Sequence, residues 1–546
     1  MVDVYCRSRN LTKVPENIPN ETLLLDLQSN DLMTIEHHAF LNLKKLRRLI
    51  LTDTSLTTIG KETFAGLVSL QYLHLTKNNL LRLEKDTFSH MTKLINLAIS
   101  NNKISDIHPM SFRSLKKLKH LGLMSNSLTS ISGEMFVCIP QLEKLDVSEN
   151  FIASVDERVF VKLTKLKDLR LNRNKLKKLD SEMFIMQKDL TSLRLNDNQI
   201  RDVENGTFRN LKKLRSLYLN DNNLTVLLRY MCLGLTSLRI LHLDRNQIVD
   251  IEENAFHSLK FLNGLYLMDN HLSGVASCMM SGLYLLTRID LSNNSITQVS
   301  SNAFSKLPAI QSLVLRRNKL TTISAMTFSN IQFLRILDLS NNKLSHIPNN
   351  SFTKLPSLRE VNLLGNRLIC TCQTFNYILH LQALHVIATC VNATSRNNSA
   401  FPAFLFTTDS YKRPQSSNPT MYKQQGSYPY GCDNVEIIKR KCLSCNNASR
   451  PWCMDELHPF YLHEKCVTIM IRKKRIPFPD TCHLIGCPTS TDVLDPIIED
   501  IEVNSFDKYS CKRSSQGQSE MIEPEIRELL VSSLAVFLIA TLYVIY

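Results

Sequence analysis

Five residues set 24 positions apart carry the types needed for binding chemistry: Arg170, Arg194, Tyr218, His242 and Tyr266. Two guanidiniums, two phenols and an imidazole offer cations, hydroxyls and aromatic surface, and Arg and Tyr are enriched at binding hot spots. Three residues beyond each stand Arg173, Asp197, Asp221, Arg245 and Asp269. A border of mixed sign gives a protein partner orientation and register and works against a purely polyanionic one. The same types also suit a merely solvated face, so a ligand measurement has to separate the two readings. Covalent chemistry has no comparable foothold. The sequence holds no G-x-S-x-G, H-E-x-x-H or phosphate-loop motif, Gly60-Lys61 lacks the upstream Gly, and the histidines are scattered. The expectation is a binding protein with no enzyme activity, cofactor or metal.

The spacing of those residues belongs to a repeat that runs through most of the chain. Asn stands at 30, at 78 and at every 24th position thereafter to Asn366, with Thr54 in the one gap. Around it lies L-x-x-L-x-L-x-x-N-x-L, as in Leu166, Leu169, Leu171, Asn174 and Leu176. A Phe recurs with the same period from Phe40 to Phe352, replaced by Cys232 and Met280 in two slots. The L-x-L segment predicts a short strand with alternate residues inward. The rest of each unit returns over the far side and buries the Phe. No unit can bury its apolar face alone, so units stack into one core. The Asn is placed to bridge backbone groups of adjacent turns. At a strand spacing of roughly 4.8 Å, fifteen units give a face on the order of 70 Å long, sized for a macromolecule. The five residues above occupy the central x of five successive strands and so share that face. Cys232 in a Phe slot reads as a small buried filler.

This frame resembles the extracellular "typical" leucine-rich-repeat family, with its Slit-like, Toll-like and chaoptin-like ectodomains and the lamprey variable lymphocyte receptors. The resemblance covers about residues 6 to 432. It implies an α/β-type leucine-rich-repeat solenoid, a curved horseshoe with a parallel concave β-sheet, that binds protein or glycan on its concave side. Residues 1–21, with Cys6, look like part of the family's N-terminal cap, and 22–368 form the solenoid. Cys370, Cys372 and Cys390, with Cys432 as fourth member, resemble its C-terminal disulfide cap over 369–432. That cap departs from the family pattern in its long Cys390–Cys432 interval and its missing Trp. Residues 433–513 read as a cysteine-rich module of no recognised family. The first residues carry no apolar secretory stretch, which reads as a chain that starts late.

Composition fits an extracellular chain. Eleven of fifteen cysteines fall between Cys370 and Cys511, a disulfide-rich pattern of oxidising compartments. Nine N-x-S/T sequons mark candidate glycosylation sites: Asn10, Asn20, Asn205, Asn223, Asn293, Asn349, Asn392, Asn397 and Asn447. The net charge of +15 favours acidic partners such as sulfated glycans, anionic proteins or membrane surfaces, or simply solubilises a large surface. No nucleic-acid-binding motif accompanies it, so nucleic acid is not expected. Residues 529–546 are apolar and follow a polar spacer, 514–528. With Ser515 as the attachment site this suits a GPI signal, and as an uncleaved span it suits a transmembrane anchor. The resulting expectation is a membrane-anchored recognition or adhesion protein whose ligand is a protein or glycoprotein, acidic ones included. A Toll-like innate-immune ectodomain and a secreted matrix or carrier subunit are the alternatives.

Overall fold

A computed structural model describes residues 2–348, 351, 352 and 354–369, and the backbone of strands His385–Ile387 and Cys390–Val391. The C-terminal cap pairings, the cysteine-rich module, the spacer, the apolar tail, Ser515 and the sequons at Asn349, Asn392, Asn397 and Asn447 lie outside the described residues.

The repeat folds as its periodicity requires. Fifteen short strands, from Thr22–Asp26 and Arg48–Ile50 to Glu360–Asn362, line up side by side. With Val2–Tyr5 before them and His385–Ile387 after them they form one 17-stranded sheet. All its pairings are parallel, and neighbours stay in register at 24 residues: Lys144, Leu145 and Asp146 pair with Asp168, Leu169 and Arg170. Consecutive turns are thus sheet neighbours throughout, and no strand is skipped. The stretch expected to be part of a cap opens the sheet itself, because Val2–Tyr5 pairs with Thr22–Asp26.

Between strands the chain returns through turns. Two 3-10 helices, Gly133–Phe136 and Ser277–Met280, are the helical segments there, and no α-helix occurs among the described residues. A 24-residue turn spends its length on the strand, the Asn corner and the buried Phe, which leaves too few residues for a stable helix. Six further two-stranded parallel pairs, such as Lys178–Leu179 with Asp202–Val203, tie the return segments together.

The core is layered. Leu169 and Leu171 are fully buried, and the phenylalanines stack in a column with ring centroids 6.1–6.4 Å apart. Burying a Leu or Phe side chain contributes about 1.5–3 kcal/mol, repeated in every turn. Cys232 keeps its place in the column at 2% exposure, and burial pushes its thiol up to about 12. It is a filler, as expected.

The Asn ladder carries the polar side of the core. In Asn174 the side-chain amide donates to the carbonyls of Leu171 at 3.1 Å and of Val147, one turn back, at 3.0 Å. Its Oδ1 accepts from Ile152 N at 3.0 Å. Thr54 covers its slot by donating from Oγ1 to Leu51 O at 2.9 Å, and Asn78 satisfies the neighbouring amides. The residue before each ladder position, from Ser29 to Gly365, has φ between 51° and 71°. That left-handed step turns the chain off the sheet.

Candidate functional site: an aromatic and cationic ladder on the sheet face

Parallel pairing at a fixed offset brings together residues that lie far apart in sequence. Arg170 pairs with Arg194, Arg194 with Tyr218, Tyr218 with His242, and His242 with Tyr266. Each closes its three-residue strand, and all lie on the same face. The three rings stack nearly parallel, with centroids 4.9 Å apart for Tyr218–His242 and 4.4 Å for His242–Tyr266. Interplanar angles are 10° and 5°.

A guanidinium caps each end of this stack. Arg194 lies over Tyr218 at 5.0 Å and Arg288 over Tyr266 at 5.7 Å. Arg288 is absent from the five-residue series because it opens its strand, whereas those five close theirs. Its signal lies in the neighbouring column, where Gly264 stands opposite it. A Cβ on Gly264 would sit 3.3 Å from the Tyr266 ring, so the glycine makes room for that ring to lie down and meet Arg288.

The cations differ in how they are held. Arg170 faces two carboxylates, Asp168 at 3.2 Å and Asp146 at 3.6 Å. Arg194 and Arg288 have no carboxylate within ion-pair distance among the described residues, and Arg194 Nε is buried without a hydrogen-bond partner. The stack therefore ends in two positive charges free to meet an anion. Below it His242 Nδ1 lies 3.2 Å from Oδ1 of buried Asp244. With its proton on Nδ1 the neutral ring donates to Asp244, and Nε2 is then an acceptor.

The mixed-sign border is largely consumed within the molecule. Arg173 pairs with Glu149 at 2.6 Å and reaches Asp197 at 3.9 Å. Arg245 grips Asp221 with two bonds, 2.6 and 2.9 Å, and also holds Asp244 at 3.0 Å. The Arg245 guanidinium keeps the Asp221 carboxyl below its usual range and is itself raised by that bond. Arg173 and Arg245 thus brace neighbouring turns. A smaller cluster lies nearer the N-terminus, where Arg48 sits 4.9 Å over Tyr72 and burial, then Arg48, lowers the pKa of His74.

The five described sequon asparagines, Asn10, Asn20, Asn205, Asn223 and Asn293, are all exposed. Asn293 sits at the border of the sheet and donates to Asp269. Cys6, Cys138 and Cys232 are free thiols, whereas Cys278 is disulfide-bonded. No group of three or more His, Cys, Asp or Glu side chains that could hold a metal occurs among the described residues, and no described helix is long and apolar enough to cross a membrane.

Known proteins share this architecture. Residues 33–154 match the model of BspA type leucine-rich repeat regions in six copies. Six overlapping segments from 140–199 to 308–368 match the leucine-rich repeat model. Human leucine-rich repeat-containing protein 3 is 44% identical over 66 residues, 12% of this chain and 26% of its own length. Leucine-rich repeat-containing G-protein coupled receptor 5A of Xenopus laevis is 43% identical over 75 residues, 14% of this chain and 8% of its own. The chain thus spans about a quarter of the length of the first of these relatives and far less of the second. Among solved structures, a leucine-rich-repeat protein of Leptospira interrogans aligns over 70% of this chain and 94% of its own, at TM-score 0.58 and 27% identity. Drosophila Toll, solved in complex with Spatzle, aligns over 72% of this chain and 61% of its own, at TM-score 0.57 and 19% identity. The plant peptide hormone receptor RGFR1, solved in complex with RGF2, covers 70% of this chain and 66% of its own, at TM-score 0.51 and 23% identity.

Proposed function

The chain belongs to the leucine-rich-repeat family, and from that premise we propose that it is a cell-surface recognition or adhesion protein without enzyme activity. Its ligand is a protein or glycoprotein held on the concave sheet face. The observation that carries this reading is the ladder Arg194–Tyr218–His242–Tyr266–Arg288. Rigid stacked aromatics and two uncompensated cations stand side by side on a surface long enough for a macromolecule. Such a ridge meets carboxylates at its ends and peptide or sugar edges along its middle. Arg170 extends it at one end, while Arg173 and Arg245 hold the border on which it rests. The Toll and RGFR1 neighbours, alike in fold alone, were solved with Spatzle and RGF2. The disulfide at Cys278 and the exposed sequons support an oxidising, glycosylating compartment, hence an extracellular site. The apolar 529–546 segment supports attachment to a membrane, by GPI at Ser515 or by a span.

A screen of the full chain against secreted and cell-surface proteins supplies the ligand. The triple variant Arg170→Ala/Arg194→Ala/Tyr218→Ala then weakens binding by at least tenfold, the scale of a hot spot worth about 2 kcal/mol. Affinity unchanged in that variant removes the concave ridge from the reading.

A further inference from the structure

A second surface, away from the ridge, has an electrostatic character the ridge lacks. The chain leaves each buried Phe and returns to the next strand along one flank. Six successive returns, 88–95, 112–119, 136–143, 160–167, 184–191 and 208–215, carry thirteen Lys and Arg against two carboxylates, Glu143 and Asp189. The opposite half-turns, from 79–87 to 199–207, are nearly balanced, with eight Lys and Arg against ten carboxylates. The positive charge is therefore segregated to one side of the turns rather than spread for solubility.

Most of that charge is uncompensated. Lys93, Lys116, Lys117, Lys188, Lys212 and Arg215 have no carboxylate within ion-pair distance among the described residues. The column is also indented. A depression of about 610 Å³ opens beside Lys116 and Lys117, where Arg113, itself paired with Asp86 at 3.3 Å, adds a third cation and Thr92 and Ser114 add hydroxyls. Turns in this stretch are 6.1–6.3 Å apart at their phenylalanine rings, so the five steps from Lys93 to Lys212 cover roughly 30 Å. A ligand matching this flank is linear, repeatedly anionic and long.

We propose that this flank is a binding site for a sulfated polysaccharide, separate from the concave ridge, with the depression at Arg113, Lys116 and Lys117 seating one cluster of sulfates. Three observations favour a sulfated glycan over other polyanions. The six returns expose no Tyr, Trp or Phe, so the bases of a single-stranded nucleic acid have no stacking platform. Large exposed apolar residues are few there, Met110 at the depression and Val137 and Met186 two turns apart, too few for a patch that enters a bilayer. Sulfates spaced along a sugar chain need cations repeated along a line, which five of the six returns supply, four of them with a Ser or Thr hydroxyl as well. The site uses none of the residues of the ridge, so the two can be occupied independently.

The test is heparin binding by the full chain at 0.15 M salt, with its salt dependence. The variant Lys116→Glu/Lys117→Glu/Lys188→Glu/Lys212→Glu loses at least tenfold in affinity and shows a shallower slope of log affinity against log salt. The control Lys85→Glu/Lys103→Glu/Lys177→Glu/Arg201→Glu carries the same net charge on the opposite half-turns and binds nearly as the parent does. Alanine versions of both sets keep the comparison valid if a reversed variant melts early. The proposal falls if the parent chain does not bind heparin, if both variants lose equally, or if desulfated heparin binds as well as heparin. Equal binding of a DNA duplex or of phosphatidylserine vesicles also overturns it, by showing that the flank reads charge alone. A concave-face ligand remains bound by the flank variant, so failure here and failure of the ridge reading are told apart.

Discussion

The absence of a side chain at Gly264 sets how the ridge ends. The Tyr266 ring lies over it, within 3.3 Å of where a Cβ would stand, and from that position stacks on His242 and receives Arg288. Glycine in a strand is otherwise a weak choice, since it packs nothing and costs chain entropy. The substitution Gly264→Val should therefore leave the melting temperature unchanged or raise it, while displacing the ring. Near-ultraviolet circular dichroism in the tyrosine band should change, and ligand affinity should fall by several-fold. A tyrosine signal identical to the parent's would show that the ring does not depend on the glycine. At this scale the sequence disclosed Arg194, Tyr218, His242 and Tyr266, because a constant offset makes them neighbours. It did not disclose that Arg170, Arg173 and Arg245 face carboxylates, since ion pairing depends on side-chain reach across turns. Nor did it disclose Arg288, which acts from another column through a space left by a glycine.

A single turn is held by its Asn, and the cost of removing one can be counted from its bonds. In Asn174→Leu the buried amide of Ile152 loses its partner, while the carbonyls of Val147 and Leu171 each lose one bond and keep another, from Asn150 and Asn198. One unsatisfied buried group costs about 1–3 kcal/mol and each lost second bond about 0.5–1 kcal/mol, so the variant should lose roughly 2–4 kcal/mol and melt about 4–8 °C lower. Asn174→Thr should cost less, because the Thr54 hydroxyl shows that a threonine can bond the carbonyl three residues back. Equal melting points for the two variants would refute the counting. Strand, Asn ladder and Phe column were legible at this scale, each marked by a residue type at a fixed period. The left-handed step before the Asn was legible too, though less directly. Over fifteen turns that position holds only Ser, Asp, Lys, Asn, Glu, Arg or Gly, and never a β-branched residue or Pro. The conformation of the return was not legible by contrast: the resemblance implied only an α/β-type solenoid, and turns with two short 3-10 helices stand there.

Across the whole solenoid, neighbouring turns are also tied by charge, and the ties are unevenly placed. Glu143 bonds Lys119 on one neighbouring turn and Lys167 on the other, and the two lysines hold it down at about 2. Lys178 and the Ser181 amide hold Glu204 at about 2. Asp189 and Asp221 are lowered by Lys213 and Arg245. All lie between residues 119 and 245, in the middle turns of the described solenoid. A carboxyl whose folded pKa lies below its unfolded value stabilises the fold above the unfolded pKa, near 4.5, and loses that contribution as pH falls toward the folded one. These groups are exposed, so each tie is small and screened by salt. Stability of a solenoid is nonetheless a sum over its interfaces, and several weak ties in adjacent turns act on the same stretch. The melting temperature should therefore be flat from pH 7 to about 5 and fall between pH 4.5 and 2.5, more steeply in low salt than in high. The double variant Glu143→Gln/Glu204→Gln should melt slightly lower than the parent at pH 7 and approach it as the pH falls to about 2, where most of the contribution of these carboxyls has been lost. General acid repulsion between the many lysines would lower both curves in parallel. Convergence separates the two causes, and parallel curves would assign the acid sensitivity to net charge instead of to the ties between turns.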